Sequence, residues 1–273
     1  MNKIKYFFQF LIVIIMFFIF KILGLRLSSY LGGKVFQIIG PFFRPKNLIH
    51  QNIRKVFPNI DEKKMNEIVS SMWDNYGRVF AEYVFIKKFR ITSLNSNIII
   101  EGIEILNEIK KNNQKVIFIS GHFSNFELMA MQLEKTGIKI AAIYRPLNNI
   151  FLNKIMERIR KKYICKNQIK KGIGGLKDLL KLNKKGYSTA LMIDQRVSQG
   201  SRLNFFNEKA FTTTIPARLV KKFSMPVVPI FIERFDGIKF NNISNTTNSF
   251  FYLLFADIFF SNSFHNSVQK LII

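Results

Sequence analysis

Residues 115–137 read KVIFISGHFSNFELMAMQLEKTG, and the fold turns on how this stretch divides. Val116 to Ser120 is an unbroken apolar, β-branched run of the length of a buried strand. Gly121 and His122 close it, Ser124 stands where a helix N-cap belongs, and Leu128 to Lys135 reads as the helix that follows. Strand, turn and helix in this order form the repeating unit of a parallel sheet. The reading places a titratable His at the carboxyl end of a strand, where open α/β sheets bind ligands.

The alternation continues on both sides. Ile98 to Ile100, Ile140 to Tyr144, Ala190 to Ile193 and Val227 to Ile232 read as further strands, and Ile150 to Lys162, Leu176 to Leu182 and Ala217 to Phe223 as helices between them. The fold class is therefore α/β, a mainly parallel sheet flanked by helices on both faces. Asn47 to Lys88 is helical instead: Asp61 is placed to cap a helix in which Met65, Ile68, Val69, Met72 and Tyr76 recur at spacings of three and four.

Residues 6–20, YFFQFLIVIIMFFIF, are apolar apart from Gln9. If the Lys21 stem snorkels, the run extends through Leu25 to about 20 residues, the length a bilayer requires. It reads as an uncleaved membrane anchor, because Lys21 and Arg26 stand where a small-residue cleavage site would be needed. A buried amphipathic or hairpin segment is the other reading. The heavier positive charge after the run favours a cytoplasmic body.

The chain has 273 residues, of which 48% are hydrophobic, which excludes disorder for most of its length. Lys and Arg number 42 against 17 Asp and Glu, a net +25 that implies a polyanionic partner: nucleic acid, anionic lipid or an acidic carrier protein. No nucleic-acid motif is visible. The single Cys165 excludes an intramolecular disulfide and a cysteine-based zinc site. His50 and His265 have no carboxylate or His at ligand spacing, so no metal is expected. Gly172 to Gly175, GIGG, reads as a turn before a helix rather than a phosphate loop.

His122 and Glu127 are the candidate catalytic pair. With Ser124 as N-cap, Glu127 falls at the third helical position and can reach back toward the imidazole. A carboxylate on one ring nitrogen fixes the tautomer and leaves the other free to take a proton from an alcohol. Ser124-Asn125-Phe126-Glu127 also spells a capping box, in which Glu127 serves a backbone N–H, and both roles remain open.

GHFSNFE resembles the His-x4-Asp/Glu motif of lysophospholipid-type acyltransferases. The surrounding blocks resemble the lipid A biosynthesis lauroyl and myristoyl acyltransferases: Trp73, Asn75, Gly77, Arg78 and Glu82 in MWDNYGRVFAEY, Tyr144-Arg145-Pro146, ALMIDQR around Asp194 and Gln195, TTTIPARL, and MPVVPIFIER ending at Arg234. The likeness covers about residues 20–240. It implies transfer of a fatty acyl group from an acyl carrier protein or coenzyme A thioester to a hydroxyl of a phosphorylated glycolipid, a lipid A precursor, without a cofactor. It also implies the cell inner membrane, held through a single-pass or monotopic anchor, and His122 as general base.

Arg145, Arg78 and Arg196 are candidate phosphate holders, since a guanidinium offers a planar fork and stays charged. Arg145, at a strand end, can also face an oxyanion. Asp194 and Gln195 are placed in the acceptor pocket by the resemblance, whereas by local chemistry Asp194 is equally a turn-starting residue.

The expected divisions are 1–25 anchor, 26–95 helical segment, 96–240 α/β domain and 241–273 an atypical apolar segment. Asn207 stands where the family usually shows Gly, and the family's aromatic, basic ending is missing after residue 240. That end reads as an apolar helical stripe through Phe250, Phe251, Phe255, Phe259 and Phe260, or as a damaged or frameshifted end that would leave a catalytically silent relative. An acyltransferase for another glycolipid is the remaining alternative.

Overall fold

The computed structural model describes residues 2–91, 97–197, 200–206 and 208–244; Asn207 and the phenylalanine stripe beyond residue 244 lie outside them. In chain order, the helices α1 (Asn2–Leu23), α2 (Leu25–Ile39), α3 (Lys46–Val56), α4 (Glu62–Glu82) and α5 (Ile86–Ile91) come first. Then follow β1 (Ile98–Glu101), α6 (Ile103–Lys111), β2 (Ile117–Ser120), α7 (Glu127–Lys135), β3 (Ile140–Tyr144), α8 (Ile150–Ile159), β4 (Asn167–Lys170), α9 (Ile173–Lys184) and β5 (Ser188–Met192). The series ends with β6 (Ser201–Phe205), β7 (Glu208–Thr212), α10 (Ile215–Phe223), β8 (Val227–Asp236) and β9 (Lys239–Ser244).

These elements sort into two compact units, one drawn from the described residues within 1–92 and 234–239, the other from those within 93–233 and 240–244. In the second, seven strands form one sheet in the order β1-β9-β8-β2-β5-β3-β4. β8, β2, β5, β3 and β4 pair in parallel, as does β1 with β9. The α/β reading is therefore correct. β4, β9 and the separate antiparallel hairpin β6–β7 are not among the expected strands.

Period-2 alternation along β2 builds both faces of the sheet. Ile117 and Ile119 enter a core with Ala141, Ile169, Leu179, Leu191, Leu219 and Val220, which is covered by α9 and α10. Phe118 and Ser120, between them, turn to the opposite face and line a cavity with Met129 and Leu133 of α7. The helix starts have local causes. Asn149 caps α8 by accepting from the N–H groups of Phe151 (3.1 Å) and Leu152 (3.2 Å). Gly172, at φ 138°, turns the chain into α9, but the rest of GIGG, expected in the turn, forms the first three residues of the helix.

In the first unit Asp61 caps α4 as expected, its carboxylate accepting from Lys64 N–H at 2.7 Å. α2 and α4 touch backbone to backbone: a Cβ on Gly32 would lie 2.6 Å from the Gly77 carbonyl oxygen, and one on Gly77 2.0 Å from that of Gly32. Glu82, fully buried, accepts from Ser29 Oγ (2.7 Å) and from both Arg234 terminal nitrogens (2.5 and 3.0 Å). Two sequence blocks 152 residues apart thus meet in one buried bidentate pair.

Candidate active site

The register of β2 against β5 decides the site. Ser120 lies opposite Met192, so the residues two positions beyond each, His122 and Asp194, leave neighbouring strand ends together. His122 Nδ1 is 2.8 Å from Asp194 Oδ1, and its backbone N–H donates to Asp194 Oδ2 at 2.9 Å. An ionised carboxylate only accepts, so Nδ1 carries the proton and Nε2 presents a lone pair. The Gln195 amide lies 3.4 Å from Nε2, on the cavity side of the ring. Partial burial pushes the Asp194 carboxyl up, but the bonds from the His122 ring and backbone outweigh it, so Asp194 is held below the ordinary carboxylate value.

Glu127 does not occupy that position. α7 begins at Glu127 itself, with Phe126 as its cap residue, and Ser124 sits three positions earlier in a left-handed turn at φ 43°. The capping box therefore does not form, and Glu127 is the first helical residue rather than the third. Its carboxylate takes the Arg160 guanidinium, with Nε at 2.9 Å and Nη2 closer still. The expected contact with His122 is replaced by this largely buried ion pair.

Arg160 opens a π-helical turn, Arg160–Ile164, at the end of α8, a backbone irregularity common at functional sites. Its guanidinium lies 5.6 Å from the Tyr144 ring centroid. Tyr144 Oη donates to Glu157 at 2.6 Å, and Asn153 and Lys170 reach the same carboxylate at 2.9 and 3.1 Å. The Tyr144 bond, working against burial and aided by Asn153 and Lys170, holds Glu157 at about 2. Burial and Glu157 push the Tyr144 phenol well up. Sequence reasoning missed this group. Its signal was the spacing of Asn153, Glu157 and Arg160, four and three apart on one helix face.

His122, Glu127, Tyr144, Arg145, Arg160 and Gln195 all line one cavity of about 490 Å³, together with the apolar Phe118, Met129, Leu133, Ala142, Ala190 and Ile230. Of the expected phosphate holders only Arg145 is there. Arg196 is exposed and lies over the Phe211 ring at 5.5 Å. Arg78 belongs to the first unit, where Asp74 holds it at 2.5 Å and Ser29 Oγ lies 3.5 Å away. Its position is that of a structural ion pair.

The profile of bacterial lipid A biosynthesis acyltransferases matches residues 1–245. The chain belongs to that family. Among relatives of this acyltransferase family, it is 25% identical over 210 residues to the lipid A biosynthesis myristoyltransferase of Escherichia coli (strain K12), covering 76% of this chain and 62% of that protein. Identity and coverage are the same for lipid A biosynthesis acyltransferase 1 of Shigella flexneri. For acyltransferase 2 of that organism identity is 24% over 185 residues, 66% of this chain and 57% of that protein. The chain thus matches less than two thirds of the length of these acyltransferases.

Proposed function

We propose that the protein transfers a fatty acyl group from an acyl thioester to a hydroxyl of a phosphorylated lipid A precursor. The observation that carries the reading is the His122–Asp194 pair, with His122 in the wall of a cavity lined by both polar and apolar side chains. A site of this shape suits a polar reacting centre joined to an alkyl chain. The family supports the reaction type, and the relatives' names specify lipid A biosynthesis.

In this mechanism Nε2 takes the acceptor hydroxyl proton as the oxygen attacks the thioester carbonyl carbon. Asp194 stays ionised and stabilises the imidazolium. Arg145 meets the oxyanion. When the C–S bond breaks, the thiolate takes the proton back from Nε2–H, leaving an ester and a free thiol. Glu127 holds Arg160 in the cavity wall, and Gln195 lies beside the attacking oxygen.

The donor is acyl carrier protein or coenzyme A thioester, and the +25 charge favours an acidic carrier and a phosphorylated acceptor. α1 has the length and hydropathy of a bilayer span, with only 6% of its apolar window buried. We place the protein at the inner membrane, with residues 1–25 as anchor, 26–95 as a helical segment and 96–240 as a cytoplasmic acyl-transfer domain. The test incubates the detergent-solubilised full chain with acyl carrier protein or coenzyme A thioesters and a lipid A precursor, and measures product mass. One added acyl chain, lost in His122→Ala, is expected. Transfer that persists in that variant, or no acylated product with either donor, overturns the reading.

A further inference from the structure

α2 is built the wrong way round for a helix in water. Its buried side carries Ser28 against α1 and Ser29, Gly32 and Gly33 against α4, while Leu27, Tyr30, Val35 and Ile38 face outward. The outward stripe continues into the 3-10 turn Gly40–Phe42 and the residue after it. Ile38 is 72% exposed, Phe42 87% and Phe43 70%. Small residues inside and large apolar residues outside are the arrangement of helices that pack on one another in lipid. In water this stripe would be an exposed apolar face broken by one charge, Lys34, whose ammonium lies 5.7 Å from the Tyr30 ring centroid.

We infer that α2 and the turn at Phe42-Phe43 form a second membrane-contact element, lying in the interface of an anionic bilayer. The inference rests on the reading of α1 as a bilayer helix and goes beyond it. Charge names the occupant: residues 1–60 contain nine Lys and Arg and no Asp or Glu, the first acid being Asp61. Arg26 stands at one end of the apolar stripe, Arg44 and Lys46 at the other, where they meet lipid phosphates. An acid-free segment with cations at both ends of an apolar strip suits anionic headgroups over acyl chains.

Length sets the mode of contact. Fifteen residues at a rise of about 1.5 Å make roughly 22 Å, short of the roughly 30 Å hydrocarbon core, so α2 lies in the interface and does not cross. It is also fastened to α1. Ser28 Oγ donates to the Phe20 carbonyl at 2.6 Å, and Phe17, Phe20 and Phe36 all pack on the Phe80 ring at 5.2–6.2 Å. α2 therefore cannot drift from the anchor when the anchor is in lipid.

The test uses the full chain in phosphatidylethanolamine–phosphatidylglycerol vesicles, with a nitroxide on a cysteine at Ile12, Ile38, Phe42 or Lys63. Cys165 is buried and stays unlabelled. Oxygen concentrates in lipid and a nickel chelate in water, so their relative access to the label reports its surroundings. Labels at Ile38→Cys and Phe42→Cys, like Ile12→Cys, are expected to favour oxygen severalfold, and Lys63→Cys to favour nickel. If Ile38 and Phe42 follow Lys63 while Ile12 stays in lipid, the inference fails and the anchor stands. If Ile38 and Phe42 are shielded from both probes, a protein surface covers α2, and the inference also fails. If Ile12 itself favours nickel, the anchor reading falls and this inference with it.

Discussion

Asp194→Asn removes a charge and leaves the shape. In the parent, Asp194 accepts from the His122 ring at 2.8 Å and from its backbone N–H at 2.9 Å. An Asn offers one acceptor oxygen, so one of these bonds persists as a neutral one and the other is lost or reversed. Exchanging a charge-assisted bond for a neutral one costs about 1–2 kcal/mol, a melting shift of a few degrees. The kinetic cost is larger, because the imidazolium loses its counter-charge and an amide N–H facing Nδ1 favours the wrong tautomer. A loss of about 10²- to 10⁴-fold in kcat is expected, or roughly 2.7–5.5 kcal/mol of transition-state stabilisation. Initial rates at saturating acyl thioester, read as product mass, separate slower chemistry from weaker binding. Glu127→Gln is the companion, leaving Arg160 without its anion; it is expected to lower the melting temperature and reduce kcat less than Asp194→Asn does. Near-parental kcat in Asp194→Asn, with a hundredfold loss in Glu127→Gln at unchanged melting temperature, would refute the reasoning and restore a His–Glu pair.

Glu82→Ala strands the buried Arg234 guanidinium and should cost roughly 3–5 kcal/mol, read by thermal melting in detergent; a change below about 1 kcal/mol would show that water compensates the pair. Arg145→Ala should lose roughly 2–4 kcal/mol of transition-state stabilisation, with little recovery in Arg145→Lys because a point charge lacks the fork; normal turnover would remove Arg145 from the site. Glu157, held at about 2 and so well below the ordinary carboxylate value, contributes stability that is complete above that ordinary value and lost as pH falls through the lower one. The melting difference between the parent and Glu157→Gln should be largest above pH 4.5 and narrow toward pH 2; a difference independent of pH would contradict the network.

Much of the sheet was legible because its central strands are buried on both faces and therefore read as apolar runs, Val116 to Ser120 foremost. β4 was not: Asn167-Gln168-Ile169-Lys170 is an edge strand, and edges carry polar and Lys residues that erase the pattern. His122 was legible from its place after a strand. Its partner was not, because strand order is a tertiary fact: only when β5 lies beside β2 do residues 72 apart meet. Glu127 misled because a Ser three residues ahead of a Glu spells a cap, whereas the chain turns through a left-handed Ser124 and starts its helix later.

The bidentate pair of Glu82 with Arg234 imposes an order on biosynthesis. Its carboxylate emerges from the ribosome early, just after the apolar helices; its guanidinium arrives only 152 residues later. Through that interval the N-terminal unit holds an acid awaiting a distant cation, so its helices cannot settle into their final packing as they are translated. Completion of the first unit is thereby coupled to synthesis of nearly the whole sheet.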